Sequence, residues 1–249
     1  MPPIAQTRVE QIVQELMPYV AKQRIDEITL QRFKRDARKN LGAHPWAGYI
    51  ALEMIAVLEW DEAGIDHNHK QALGYRNSSD TYAHYSTSLQ LIGKYIEASD
   101  AILTASKMAP ENLSYAMSAI HYAQSAGRFN LARDLITSFN LRSPKNPYDE
   151  DLFEMVLSVI VKNKVSEETI TQCNKVAFDI LRQHRIPFVG TKFRGDAQDD
   201  YVMFYVTLSE SQETIERLDE ELGVALFDQV PDFDPSKYWV GYSKAVDNE

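Results

Sequence analysis

GKYIEASDAILTASKMAPEN occupies residues 93–112, and GRFNLARDLITSFNLRSPKN, built on the same skeleton, occupies residues 127–146. The two stretches lie 34 residues apart and correspond residue by residue. Gly93 answers Gly127, Tyr95 answers Phe129, Ala98 answers Ala132, Ile102 answers Ile136 and Pro110 answers Pro144. Upstream, Tyr82, Tyr85 and Leu89 answer Ala116, Ala119 and Ala123. A small residue such as Ala98 or Ala132 lets two antiparallel helices approach closely. Glycine suits the tight turn between them, and proline closes each unit. Such a helix pair leaves an apolar face that only a neighbouring pair can cover, so stacking of pairs is expected.

The flanks extend the helical pattern. Residues 4–41 read as two helices, with Ile12, Val13, Leu16 and Val20, then Ile28, Leu30, Phe33, Ala37 and Leu41, at helical spacing. Pro18 is expected to kink or break the first, and Gly42 to end the second. AGYIALEMIAVLEW, ending at Trp60, is almost uniformly apolar and predicts a well-buried helix. Residues 61–74 predict a more polar one, and the YRNSSD stretch at 75–80 a loop whose Ser78, Ser79 or Asp80 caps the next helix. Two more helices are expected over 149–163 and 166–185, the second capped by Ser166 with Glu167 and Glu168 at its positive end. Pro187 stops it.

Beyond that point the pattern changes. YVMFYVTL, 201–208, is rich in β-branched and aromatic residues and predicts a strand. Ile215, Leu218, Leu222 and Leu226 line one face of an acidic helix. YWVGY, 238–242, predicts a second strand, and 186–191 a third. The expected fold is mainly α: an antiparallel helix-pair solenoid over residues 1–185, followed by a small acidic α/β module over 186–249.

The repeated unit resembles the tetratricopeptide repeat, whose period is 34 residues. Ala98, Ile102, Ala105 and Pro110 of the unit 79–112 stand at the family's spacing. The unit 113–146 matches nearly as well but carries Phe139 where a small residue is usual. Trp46–Gly74 and 149–185 look like degenerate flanking pairs. The resemblance implies that the first helix of each pair lines a concave groove holding peptide segments or partner helices. The positions that would face it are Ala83, His84, Thr87, Gln90 and Leu91 in one unit, and Met117, Ser118, His121, Gln124 and Ser125 in the other. Members of the family that grip acidic chaperone tails use lysine, arginine and asparagine at such positions. None stands here, so that version is not expected.

The formal net charge of −10 is unevenly placed. Residues 22–39 carry seven basic against three acidic side chains, whereas 196–234 carry twelve carboxylates and the single Arg217. This balance disfavours general nucleic-acid binding, because phosphate needs basic partners. The stretch LQRFKRDARKN reads as a solvated helix face or a local contact. Glu213, Glu216 and Glu220 are either solvated surface or a face for a basic partner, which includes the chain's own 22–39 stretch. The MPPIAQTRVEQ start has neither a cationic cluster nor an apolar run, so no secretory signal is expected. No stretch reaches the length of a membrane span. The lone Cys173 sits in an apolar helical pattern and is expected in the core. Together these point to a cytoplasmic protein.

No catalytic motif accompanies the repeats. His67 and His69, at i and i+2, are expected on different sides of a helix and so unsuited to chelating one metal. Gly190-Thr191-Lys192 lacks the leading glycine of a phosphate loop and precedes no helix. No base, nucleophile and orienting group are visible together. No cofactor is expected. The function expected is therefore non-catalytic: binding of a peptide or protein partner in the repeat groove, as an inhibitor, immunity or regulatory factor. The alternatives are an enzyme or small-molecule-binding protein with a site between the array and the α/β module, and self-assembly through an unpaired sheet edge.

Overall fold

Asp26, Asp61, Asn112, Ser166 and Ser211 each stand one residue before a helix. Their side chains accept hydrogen bonds from the N–H groups of Thr29, Gly64, Ser114, Thr169 and Thr214, which satisfies donors that the first helical turn leaves free. The computed structural model describes residues 8–145, 147–149, 151–196 and 201–245. Ten helices come first: α1 (Arg8–Lys22), α2 (Glu27–Asn40), α3 (Pro45–Glu59), α4 (Glu62–Tyr75), α5 (Ser79–Leu91), α6 (Tyr95–Met108), α7 (Leu113–Ser125), α8 (Phe129–Arg142), α9 (Asp151–Lys162) and α10 (Glu167–His184). Strands β1 (Phe188–Asp196) and β2 (Tyr201–Leu208), helix α11 (Gln212–Gln229) and strand β3 (Tyr238–Lys244) follow. The chain is a mainly α array of consecutive helix pairs with a small C-terminal α/β module.

The repeat in the sequence is a repeat in the backbone. α7 and α8 reproduce the bounds of α5 and α6 34 residues later. Gly93 and Gly127 both have positive φ, 79° and 77°, and their N–H groups bond to the carbonyls of Gln90 and Gln124. The next residues, Lys94 and Arg128, reach back to the carbonyls of Leu89 and Ala123. Ala98, Ala105 and Ala132 are fully buried, as close helix approach requires.

Two differences from the sequence expectation have local causes. Pro18 does not end α1, which runs on to Lys22, because Ile12 and Leu16 before it and Val20 after it form one buried stripe. The third strand, expected over 186–191, spans 188–196 instead, carried by antiparallel pairing from Phe188↔Leu208 to Asp196↔Tyr201. Strand order is β1-β2-β3, with β2 and β3 parallel and joined through α11. Alternation along β2 turns Val202, Phe204, Val206 and Leu208 inward and leaves Tyr201, Met203, Tyr205 and Thr207 half-buried on the outer face.

One apolar cluster fills α1 to α4, and a larger one joins α7 to α10 with the sheet and α11. Residue 186, the expected boundary, lies where helix gives way to strand. Helix α10 does more than extend the array. A Cβ placed on Gly93 would stand 3.0 Å from Phe178, and one on Gly127 would stand 2.8 Å from Ile170 and 2.9 Å from the backbone nitrogen of Thr171. Both repeat turns therefore rest on α10. On the same helix, Asn174 donates to the Ser125 carbonyl and accepts from the Tyr238 hydroxyl, while the Tyr242 hydroxyl donates to the Ala177 carbonyl.

Gly127→Ala is expected to destabilise the protein by about 2–3 kcal/mol, since it combines a left-handed backbone with contact against an immovable main chain. Gly74→Ala, where nothing lies within 4 Å of the new Cβ, is the control and should not destabilise. Thermal melts compare the two. Equal melting temperatures would remove α10 as the clamp on the repeat turn.

Candidate functional site

The groove face is built from α5 and α7, and its positions divide by what surrounds them. Ala83, His84 and Thr87 line an open recess of about 300 Å³ together with Trp46, Asp80 and Tyr115. The walls of this recess are fixed by polar bonds. Trp46 Nε1 donates to Thr81 Oγ1 at 2.8 Å, and Tyr115 donates to Asp80 Oδ1 at 2.8 Å. Arg76 bonds the other oxygen of Asp80 at 3.2 Å, and its guanidinium lies 4.6 Å above the Trp46 ring. The His84 ring meets Trp46 edge-on at 6.2 Å. Burial lowers the pKa of His84, against the opposing pull of Asp80, so the imidazole is neutral at pH 7 and can donate or accept. An aromatic wall beside a carboxylate and a neutral imidazole suits a peptide backbone or a polar side chain.

The remaining groove positions have partners within the chain. Gln90 donates to the Tyr95 hydroxyl at 3.0 Å, and the Leu91 carbonyl accepts from Gln23. Met117 is half-buried against the larger core, and Ser125 is buried with its hydroxyl 2.8 Å from that of Thr191 on β1. Ser118 is half-buried. His121 is exposed, 6.0 Å from the Tyr148 ring. Gln124 accepts from the Tyr148 hydroxyl at 3.3 Å and lines a second recess of about 160 Å³ with Phe129, Leu152, Phe153, Val156 and Phe193. Trp46 and Tyr148 carry no groove signal in the sequence, because they reach the face from outside α5 and α7, and Tyr115 enters the recess from the first turn of α7.

On α11, Glu213, Glu216 and Glu220 are all exposed. Glu216 accepts from Gln212, and among the described residues no cation lies within ion-pairing distance of the three. The basic stretch touches the acidic module at another point, where Arg24 pairs with Glu210 at 3.1 Å. Both ends of that pair reach water, so it contributes little to stability.

Two strongly perturbed titratable groups are inside the array. Glu53 is 1% exposed and His69 is 6% exposed, in the interface of α3, α4 and α5. Ser88 donates to Glu53 Oε1 at 2.6 Å. The other oxygen, Oε2, faces His69 Nδ1 at 4.0 Å, and neither atom has a hydrogen-bond partner. The His69 ring stacks on Tyr85 at 3.8 Å, and Tyr85 donates to Asp66 at 2.7 Å. Burial pushes the Glu53 carboxyl up to about 8, with Asp66 adding to the rise and Ser88 opposing it. Burial also drops His69 to about 4, against the pull of Asp66. At neutral pH both groups are uncharged and held in a packed interior, so they specify packing and offer no exposed acid–base pair. His67 is exposed while His69 is buried, as expected of an i, i+2 pair. Cys173 is fully buried, and burial pushes its thiol up to about 12, which leaves no nucleophilic thiolate.

The buried pair has a definite pH signature. Glu53 rises from 4.5 to about 8 on folding, so the folded state holds the extra proton and stability falls with pH between those values. His69 drops from 6.5 to about 4, so stability rises with pH between 4 and 6.5. The two slopes cancel between 4.5 and 6.5. A loss of about 2 kcal/mol is expected from pH 6.5 to 8, where Glu53 acts alone. Glu53→Gln should abolish that loss in denaturant titrations at the two pH values. An identical loss in the variant would show that Glu53 is ionised in the fold.

Compared with protein-family models, with curated proteins and with solved structures, the chain has no match.

Proposed function

We propose that this chain is a non-catalytic interaction protein that holds a peptide or protein partner on the face formed by α5 and α7, acting as an inhibitor, immunity or regulatory factor. The units 79–112 and 113–146 are, on this view, tetratricopeptide repeats, supported by their 34-residue offset in both helix bounds and turn geometry. The observation that carries the function is the recess at Ala83, His84 and Thr87. Residues expected to face a groove from the repeat pattern alone line an open hollow with a rigid aromatic wall. Small, uncharged side chains with spare hydrogen-bonding capacity suit main-chain recognition better than a charged ligand.

A small-molecule function has one observation in its favour. A hollow of about 460 Å³ lies between Lys164–Thr169 and Pro231–Tyr238, where the helical array meets the α/β module. Several of its polar groups are engaged within the chain. Ser166 caps α10, Asp234 accepts from Ser236 and pairs with Lys237 at 3.0 Å. That arrangement supplies volume without a poised acid, base or nucleophile, and so supports the interaction reading more weakly than it opposes catalysis.

Thr87→Glu combined with His121→Glu tests the groove, since both side chains are exposed and lie on the α5–α7 face. Affinity for a partner co-purified from the native host is expected to fall at least about tenfold with the melting temperature unchanged. Undiminished affinity at equal stability would exclude this face. A metabolite retained in place of a protein would favour the junction hollow.

A further inference from the structure

The two outer edges of the sheet are treated differently. β3 is shielded by α11, where Asp219 Oδ1 accepts the Tyr242 N–H at 2.8 Å. β1 has β2 on one side and, among the described residues, no strand on the other. Among the described residues, the backbone of 188–196 makes no hydrogen bond beyond the ladder to β2. An unpaired edge of this length is a template for an added strand.

What such a strand must carry follows from the two faces of β1. Thr191 and Phe193 point to the array, reaching Ser125 and the Phe129 ring, the latter at 5.4 Å. Phe193 also forms one wall of the recess of about 160 Å³, where Phe129, Leu152, Phe153 and Val156 are apolar walls and Gln124, Tyr148 and Asp149 line the remainder. An inward side chain on an added strand, next to Phe193, therefore meets an apolar hollow. The alternate residues Lys192 and Arg194 are exposed on the outer face, and the Lys192 ammonium lies 5.7 Å from the Tyr205 ring centre. Cross-strand neighbours of those positions gain most from carboxylates.

A second copy of the chain fits this edge poorly. Antiparallel pairing of β1 with itself, centred on Lys192, Phe193 or Arg194, sets cation against cation on the outer face, and like charges directly opposed are unfavourable. The hollow also lies beside the α7 end of the proposed face, since Gln124 and Tyr148 line it and the His121 ring is 6.0 Å from that of Tyr148.

We propose that the free edge of β1 takes an extended peptide segment of the partner as an additional strand, with carboxylates opposite Lys192 and Arg194 and an apolar side chain between them in the hollow beside Phe193. This deepens, and rests on, the partner-binding function proposed above. The chain's net negative charge does not forbid an acidic ligand, because at physiological salt only charges within about 8 Å act strongly.

Calorimetry with synthetic peptides of about nine residues tests it. The probe alternates glutamate with leucine and valine. One control replaces every glutamate with lysine, and another methylates alternate backbone nitrogens. The glutamate peptide is expected to bind, with both controls at least about tenfold weaker. Lys192→Glu with Arg194→Glu, both exposed and expected to leave the melt unchanged, should reverse the preference between the charged peptides. Thr87→Glu should leave peptide binding intact, since its recess is separate. The proposal is overturned if the glutamate peptide shows no binding at about 1 mM. Equal binding of any control would overturn it too. So would a concentration-dependent dimer that the peptide disperses, which would assign the edge to a second copy. Native-partner affinity that is lost in the groove variants but indifferent to Lys192 and Arg194 would keep the groove function and remove only the edge.

Discussion

Two glycine turns resting on one helix hold this protein together. Gly93 and Gly127 adopt a backbone conformation that other residues reach only with strain, and each leaves no room for a side chain because α10 packs directly against it. Along α10, Ile170 and Thr171 meet the second turn and Phe178 meets the first. The same helix gives Asn174 to Ser125 and Tyr238, and the Ala177 carbonyl to Tyr242, all in buried hydrogen bonds. Removing one partner of such a bond leaves a desolvated polar group, so the array and the sheet are held in register by specificity as well as area. The position of β1 beside the end of α7, where Thr191 meets Ser125, depends on that registration.

Polarity inside the array is arranged on the same principle. Ser86 donates to the Ala98 carbonyl and Ser88 to Glu53, so α5 is tied to α6 on one side and to α3 on the other. Among the described residues the exceptions are Ser99 Oγ and the Glu53–His69 contact, where two buried atoms face each other unpaired. Both groups shed their charge in response, which removes most of the desolvation penalty. The groove above this interior is dry-walled on one side by Trp46 and wet on the other at Thr87.

Charge separates the surfaces. α11 presents carboxylates to water, while β1 presents Lys192 and Arg194, and the two lie on opposite margins of the sheet. The ion pair of Arg24 with Glu210, between the basic N-terminal stretch and the acidic module, is exposed. Glu213, Glu216 and Glu220 remain directed at solvent and available to a basic surface. The outer sheet margin and the α11 face thus favour opposite kinds of ligand.

The sequence by itself determined the helix pairs, their period, the Ser166 cap and the switch to strands after Pro187, whereas the expected cap at Ser78 makes no side-chain capping bond. These are local matters: apolar spacing, left-handed glycine and β-branched runs act within a few residues. It also put His84 and Thr87 on one face of α5, where they line the same open recess. Only the tertiary structure decided that Trp46, Asp80 and Tyr115 complete that recess, that Gln90 and Leu91 are drawn into contacts with Tyr95 and Gln23, and that α10 clamps both turns. Apart from Asp80, on the same helix as His84, and the Gln90–Tyr95 bond, those contacts join residues far apart in the chain, and nothing in their local sequence distinguishes a wall of the recess from any other aromatic residue. Glu53 did carry a signal, as an acid within an otherwise apolar run, but its partners Ser88 and His69 come from different helices. The extent of β1 was hidden for the same reason. Lys192 and Arg194 become strand because β2 offers them a ladder, and hydrogen bonding across strands is not written in either strand alone.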